Sequence, residues 1–227
     1  MIELLDVFGN DLTVVNAARV SFAKESTQMS LGDEKLITYL AKHNHVSPFF
    51  HPQIRIRAKM PIFVAREWYR HQIGFARNEV SRRYVSDTPE CWVPTVDHMR
   101  ERDPKLKQGS KSTTVENSAD LVTYIQTHVD GSISLYEHLL EQGVAPEVAR
   151  CVLPQSMMTE FIETGSLAAY ARLYSLRNSP DAQREIRDYA QQIGEAIEKH
   201  FPISWKALTS GQVKEPVLPS CPKQETQ

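Results

Sequence analysis

Along QIRIRAKM, Ile54, Ile56, Ala58 and Met60 alternate with Arg55, Arg57 and Lys59. This period of two predicts a strand with one buried face and one basic face. Pro61 suits the first turn of a helix over 62–72. Phe63, Val64, Glu67, Arg70 and His71 fall there at helical spacing, so Glu67 and His71 share a face. Asn10 or Asp11 caps a helix over 12–22 that buries Leu12, Val15, Ala18 and Val20, and Asp33 starts a second with Leu36, Ile37 and Leu40 on one face. A long helix is expected over 118–142, with Gly131 as a candidate interruption, and Pro146 opens a short one that carries Arg150 and ends before Pro154. Further helices are expected over 166–177 and 180–201, the latter opened by Pro180. MMTEFIE fits a strand or a helix. KHNHVSPFFH, punctuated by Pro48, is expected to be a loop. Residues 101–117 lack a hydrophobic period and are expected to form a surface loop. The last two dozen residues, with Pro216, Pro219 and Pro222, are expected to form a loose tail. Helices outnumber strands, which gives an α+β class.

The 227 residues suit one domain, and 41% hydrophobic with 24% charged residues is ordinary for a globular chain. The net charge of -2 argues against general nucleic-acid affinity. No apolar run approaches the roughly 20 residues needed to cross a bilayer. MIELLDVFGNDL lacks the basic start and apolar stretch of a signal peptide, so a cytoplasmic location is expected. Cys91, Cys151 and Cys221 are odd in number and in no CxxC pair, which predicts neither disulfides nor a thiolate metal site.

Against this acidic balance, the charge over RHQIGFARNEVSRRY (70–84) stands out: four arginines and a histidine surround Asn78, Glu79 and Ser81. Between Arg55 and Tyr84, seven arginines and Lys59 face Glu67 and Glu79, a local charge of about +6. Guanidinium forks match phosphate and carboxylate oxygens. An amide, a carboxylate and a hydroxyl among them suit a site that holds an anion and reads the edges of a heterocycle. A solvated basic edge is the plainer alternative, and a nucleic-acid surface with Phe75 and Tyr84 stacking on bases is a third. Arg150 is either paired to Glu147 or aimed into a site, and Arg177 after LYSL poses the same choice. His43, His45 and His51 have no evident carboxylate or thiolate companions, so no metal is expected. There is no glycine-rich phosphate loop, so any nucleotide must be gripped by side chains.

The pattern RHQ…NE.S.RY resembles the signature of flavin-dependent thymidylate synthases, Arg-His-Arg, seven residues, Ser. VFGNDLTVVNAARVSF, KHNHVSPFFH, PIFVAREWYRHQ, EVARCVLP and SLR…DAQREI resemble that family's blocks in the same order, over most of residues 1 to about 200. Two features depart from it. Gln72 stands where the second arginine is usual, and eight residues rather than seven separate Gln72 from Ser81. Arg77 is a candidate for the charge missing at Gln72.

The resemblance implies a helix-rich α+β fold with a small antiparallel sheet, a catalytic domain over 1–202 and a tail over 203–227. It implies a homotetramer with active sites between subunits, without metal, nucleic acid or membrane. The implied reaction makes dTMP from dUMP, with 5,10-methylenetetrahydrofolate as carbon donor, FAD as hydride carrier, NADPH as reductant and no cysteine nucleophile. By position, dUMP would meet Glu67, Arg70, Glu79, Val80, Ser81, Arg82, Arg83, Arg150 and Arg177, with Arg177 catalytic against the pyrimidine. Glu67 stands where a glutamine is often found. FAD would meet Ser21, His45, Ser47, Arg70, His71, Gln72, Asn78, Glu79, Ser166 and Arg172.

Overall fold

A computed structural model describes residues 1–85, 87–104 and 109–210. In chain order the elements are β1 (Ile2–Phe8), α1 (Asp11–Arg19), α2 (Leu31–Lys42), β2 (Gln53–Pro61), α3 (Ile62–Trp68), β3 (Phe75–Glu79), β4 (Arg100–Arg102), β5 (Ser110–Thr114), α4 (Ser118–Glu141), α5 (Pro146–Ala149), β6 (Met158–Ser166), α6 (Leu167–Arg177), α7 (Arg184–Glu198) and α8 (Pro202–Thr209). Short 3-10 turns cover Val20–Phe22, Ser47–Phe50, Val96–His98 and Arg150–Val152. This is the helix-rich α+β fold with a small antiparallel sheet that was expected.

QIRIRAKM lies within β2, in the interior of a four-stranded antiparallel sheet of order β1-β2-β6-β3. Ile54, Ile56, Ala58 and Met60 are fully buried. On the other face the bases meet acids from neighbouring segments: Arg55 pairs with Asp6, Arg57 with Glu3 (2.9 Å) and Glu160 (3.5 Å), and Lys59 with Glu90 (2.5 Å). The strand's charge is therefore neutralised locally. Each such exposed pair contributes at most about 1 kcal/mol. MMTEFIE resolves as strand, because β6 pairs with β2 on one side and β3 on the other.

The helices cover the apolar face of the sheet. Asn10 caps α1 by accepting from the N–H groups of Leu12 (3.0 Å) and Thr13 (3.3 Å), and the Thr13 hydroxyl accepts from Asn10 N–H in return. α2 begins earlier than expected, capped by Ser30, with Asp33 as the reciprocal partner three residues on. α3 ends at Trp68 rather than running to 72, α4 runs unbroken through Gly131, and α7 begins at Arg184 rather than at 180.

Two expectations are corrected. The 101–117 segment contributes to a hairpin of β4 and β5, anchored where Arg100 meets the buried Glu185 carboxylate on α7 (3.0 Å). Its strands are too short, and β5 too exposed, to show alternation. The domain also does not end at residue 202. α8 packs Trp205, 3% exposed, into the core beside Tyr174, with ring centroids 5.1 Å apart. Asp11, at the start of α1, accepts from the N–H groups of Ile203 (3.0 Å) and Ser204 (2.9 Å), so a buried carboxylate satisfies the start of α8. The tail expected from 203 onward begins no earlier than 211, and residues 211–227 lie outside the described residues. Among the described residues no helix is long and apolar enough to cross a membrane.

Trp205→Ala should destabilise the protein by about 3–5 kcal/mol, read as a lowered denaturant midpoint. An unchanged midpoint would return this segment to a dispensable tail.

Candidate functional site

The register of β3 against β6 sets Arg77 directly opposite Glu163. Glu163 is fully buried and pairs with Arg77 Nε, while the Trp68 indole N–H donates to it at 3.0 Å. Burial pushes its carboxyl up from the usual range, and Arg77 and Trp68 oppose that shift by favouring the charged form. The Arg77 guanidinium lies over the ring of Tyr69 (4.8 Å to its centroid) and near that of Phe75 (5.4 Å), and donates a second hydrogen bond to the His71 carbonyl at 2.8 Å. Its charge is thus used inside the sheet, and it does not stand in for the arginine missing at Gln72, which is itself exposed.

His71 leads to the C-terminal end of α6. Arg177 Nε donates to His71 Nε2 at 3.0 Å, one terminal nitrogen donates to the Glu67 carbonyl at 2.9 Å, and the other pairs with the Glu67 carboxylate at 3.4 Å. The expected proximity of Glu67 and His71 holds, although the helix has ended between them. Nε2 is the acceptor, so Nδ1 carries the proton of the neutral ring. Burial and the nearby charges of Arg177, Arg172 and Arg77 lower the imidazole to about 4. Three of the five N–H groups of Arg177 are engaged, which fixes the guanidinium and leaves two donors for a ligand.

Exposed arginines flank this cluster. Arg70 follows α3, Arg172 lies on α6, and neither has an ion pair among the described residues. Gly74 adopts φ +85°, and an added Cβ would come 2.9 Å from Ala169 Cβ and 3.1 Å from Ser166 Oγ. The turn therefore has to pass against the start of α6 without a side chain.

At the far end of β3, Glu79 accepts from the Thr159 hydroxyl at 2.5 Å. Burial first, and then the Glu79 charge, raise the Tyr69 phenol above its ordinary value. Val80 is exposed, and Ser81 Oγ accepts from Arg83 Nε at 3.3 Å. The Arg83 guanidinium lies 5.0 Å from the centroid of the Tyr84 ring. Arg82 is turned inward onto Asp87, through the carbonyl (2.5 Å) and the carboxylate (3.2 Å), so it braces the loop. Arg150 is exposed and donates to the Glu147 carbonyl at 3.3 Å.

The residues expected around FAD divide in the same way. Ser21, His45, Ser47 and Asn78 are exposed, on the Val20–Phe22 turn, before and at the start of the Ser47–Phe50 turn, and on β3. Ser166 is different: it is 2% exposed, and its hydroxyl accepts from Ala169 N–H at 3.2 Å to cap α6. Trp68 and Glu163 were missed from the sequence. A carboxylate inside MMTEFIE carries no signal that it will be buried, because its partner Arg77 lies 86 residues away. Among the described residues no group of three His, Cys, Asp or Glu is placed to hold a metal ion.

Residues 3–203 match the model of the family described as thymidylate synthase complementing protein. The flavin-dependent thymidylate synthase of Thermus thermophilus is 38% identical over 208 residues, covering 91% of this chain and 74% of that protein. Its counterpart from Thermosipho africanus is 36% identical over 208 residues, covering 91% and 90%. The crystal structure of a UMP/dUMP methylase, PolB from Streptomyces cacaoi bound with 5-Br dUMP, superposes with a TM-score of 0.81 at 30% identity, over 92% of this chain and 94% of that one.

The lowered His71 carries a sign for stability. An unfolded imidazole titrates near 6.5 and the folded one near 4, so between these values the unfolded chain binds a proton that the folded chain refuses. Stability conferred by neutral His71 is complete above about pH 6.5 and lost as the pH falls towards 4. With allowance for partial exposure of the ring, this part amounts to about 1–2 kcal/mol. His71→Asn should flatten the pH dependence of the unfolding free energy by that amount across this window. Parallel curves for the variant and the parent would reject it.

Proposed function

Because the chain belongs to the thymidylate synthase complementing protein family, with flavin-dependent thymidylate synthases as relatives, we propose that it methylates dUMP to dTMP with methylenetetrahydrofolate as carbon donor, FAD as hydride carrier and NADPH as reductant. The observation that carries this reading is the half-buried guanidinium of Arg177, fixed by His71 and Glu67 with two donors to spare. A permanent cation against the uracil edge favours the N3-deprotonated ring. That anion moves electron density towards C5, the carbon to be methylated. Positioning and electrostatics then carry the protein's share of the catalysis.

The donor set fits a flavin dinucleotide. Arg70 and Arg172 are exposed guanidinium groups near His71 without ion pairs among the described residues, suited to a pyrophosphate, and Ser21, His45, Ser47 and Asn78 add exposed polar groups. Bound FAD would supply hydride transfer. His71 presents Nδ1–H as a donor. Ser81 and Arg83, with Arg150, would hold the dUMP phosphate, beside Glu79 and Val80. The reading includes completion of each site by another subunit of a homotetramer. Phe22, Ile73 and Tyr84, 76%, 72% and 79% exposed, offer apolar surface for such a contact.

The cysteines support a route without an enzyme nucleophile. Burial raises the Cys91 thiol, and only the thiolate attacks. Cys151 is exposed beside Arg150, and among the described residues nothing in the structure pairs it with a base that would form the thiolate. Cys221 lies outside the described residues.

The purified protein should release tritium from [5-³H]dUMP only with methylenetetrahydrofolate and NADPH present, and the triple variant Cys91→Ser, Cys151→Ser, Cys221→Ser should retain that release. Loss of release in a folded, flavin-loaded triple variant would restore a cysteine to the mechanism. Arg177→Ala should lower turnover by about 10²–10³-fold with the flavin spectrum kept; turnover near the parent's rate would overturn its role. Ser81→Ala should weaken dUMP binding about tenfold, read by calorimetric titration, and unchanged affinity would remove Ser81 from the phosphate site.

A further inference from the structure

The segment in which this chain departs from its family's motif also contains Arg77, the partner of the buried Glu163 on β6. We propose that Arg77 is a positioning residue that aligns His71 as the acceptor for Arg177, and so sets the guanidinium that meets the nucleotide; the last step rests on the function proposed above. Glu163 has no exposed surface and orients Arg77 through Nε. The rings of Tyr69 and Phe75 confine the guanidinium plane. A terminal nitrogen of Arg77 then holds the His71 carbonyl at 2.8 Å, and the His71 ring receives Arg177 at 3.0 Å. Each link has a fixed direction, from the centre of β6 through β3 and the 69–74 turn to the end of α6. A lysine could pair with Glu163, but its single ammonium lacks the planar fork that reaches the carboxylate and the His71 carbonyl together.

The first readout needs no cofactor or substrate. Nitrogen NMR of the His71 imidazole in the ligand-free protein should show one tautomer, protonated at Nδ1. Arg77→Met combined with Glu163→Gln removes both charges of the buried pair and keeps an acceptor for Trp68, so no buried ion is stranded. This double variant should show both tautomers of His71. The charged groups facing the ring are Arg177, Arg172 and Arg77, with Glu67 behind Arg177 and Glu163 behind Arg77, so the removal of one cation should also raise the midpoint of its titration. Arg77→Lys keeps an ion pair with Glu163 and should give the same mixture of tautomers at close to the parent's melting temperature. It serves as the test if the double variant does not fold.

The second readout is a cycle on dUMP affinity. The Arg77/Glu163 change should weaken dUMP binding about tenfold in the parent and have no further effect in an Arg177→Ala background. Unchanged His71 signals in Arg77→Lys and in any folded double variant would overturn the positioning role. Altered His71 signals with unchanged dUMP affinity would support the positioning role and overturn the nucleotide role of Arg177. Additive losses of affinity would overturn the coupling between them.

Discussion

A carboxylate with no exposed surface in the middle of a sheet has to be neutralised by its neighbours, and Glu163 is that constraint here. Arg77 from β3 and Trp68 from α3 satisfy it. Breaking such a pair from one side costs about 3–5 kcal/mol, enough to select one strand register over another. A slip of one residue would turn Arg77 to the open face and leave Ala76 or Asn78 opposite the acid. The pairing that shields Glu163 therefore also directs Asn78 outward, brings Glu79 to Thr159, and delivers the chain to Ser81 at the far end.

The bases of the 55–84 stretch, taken with Arg150, Arg172 and Arg177, are divided four ways in space. Arg55, Arg57 and Lys59 are matched by acids across the open face of the sheet. Arg77 and Arg82 are turned inward to hold Glu163 and the loop at Asp87. Arg70, Arg83, Arg150 and Arg172 remain exposed, and Arg177 lies half-buried between the inward and exposed groups. Only the last two groups are disposed to meet anions, so a count of arginines overstates the binding surface and hides its internal scaffold.

What the sequence made legible were features whose causes lie within a few residues. Alternation identified β2, Asn10 identified the start of α1, and Pro146 identified α5, because burial on one side and capping are local events. Features decided by distant partners were not legible. Glu163 reads as an ordinary polar residue until Arg77 is placed across from it. α8 opens on Pro202 and precedes a proline-rich stretch, and the Asp11 carboxylate that caps it lies at the other end of the domain. Ser166 stands at a ligand position of the family's blocks, and its helix-capping contact, made within its own helix, was not read from the sequence. Family blocks located the candidate site as a neighbourhood, and hydrogen bonds separated the residues that build it from those left free to act.

The pairing of β2 with β6 joins residues 53–61 to residues 158–166, and the Asp11 cap waits for residues 203 and 204. A chain emerging from the ribosome thus carries half a sheet, with the apolar underside of β2 uncovered, until most of its length has been translated. During that interval the acids of β1 can already offset the bases of β2, since those two strands meet early in the chain.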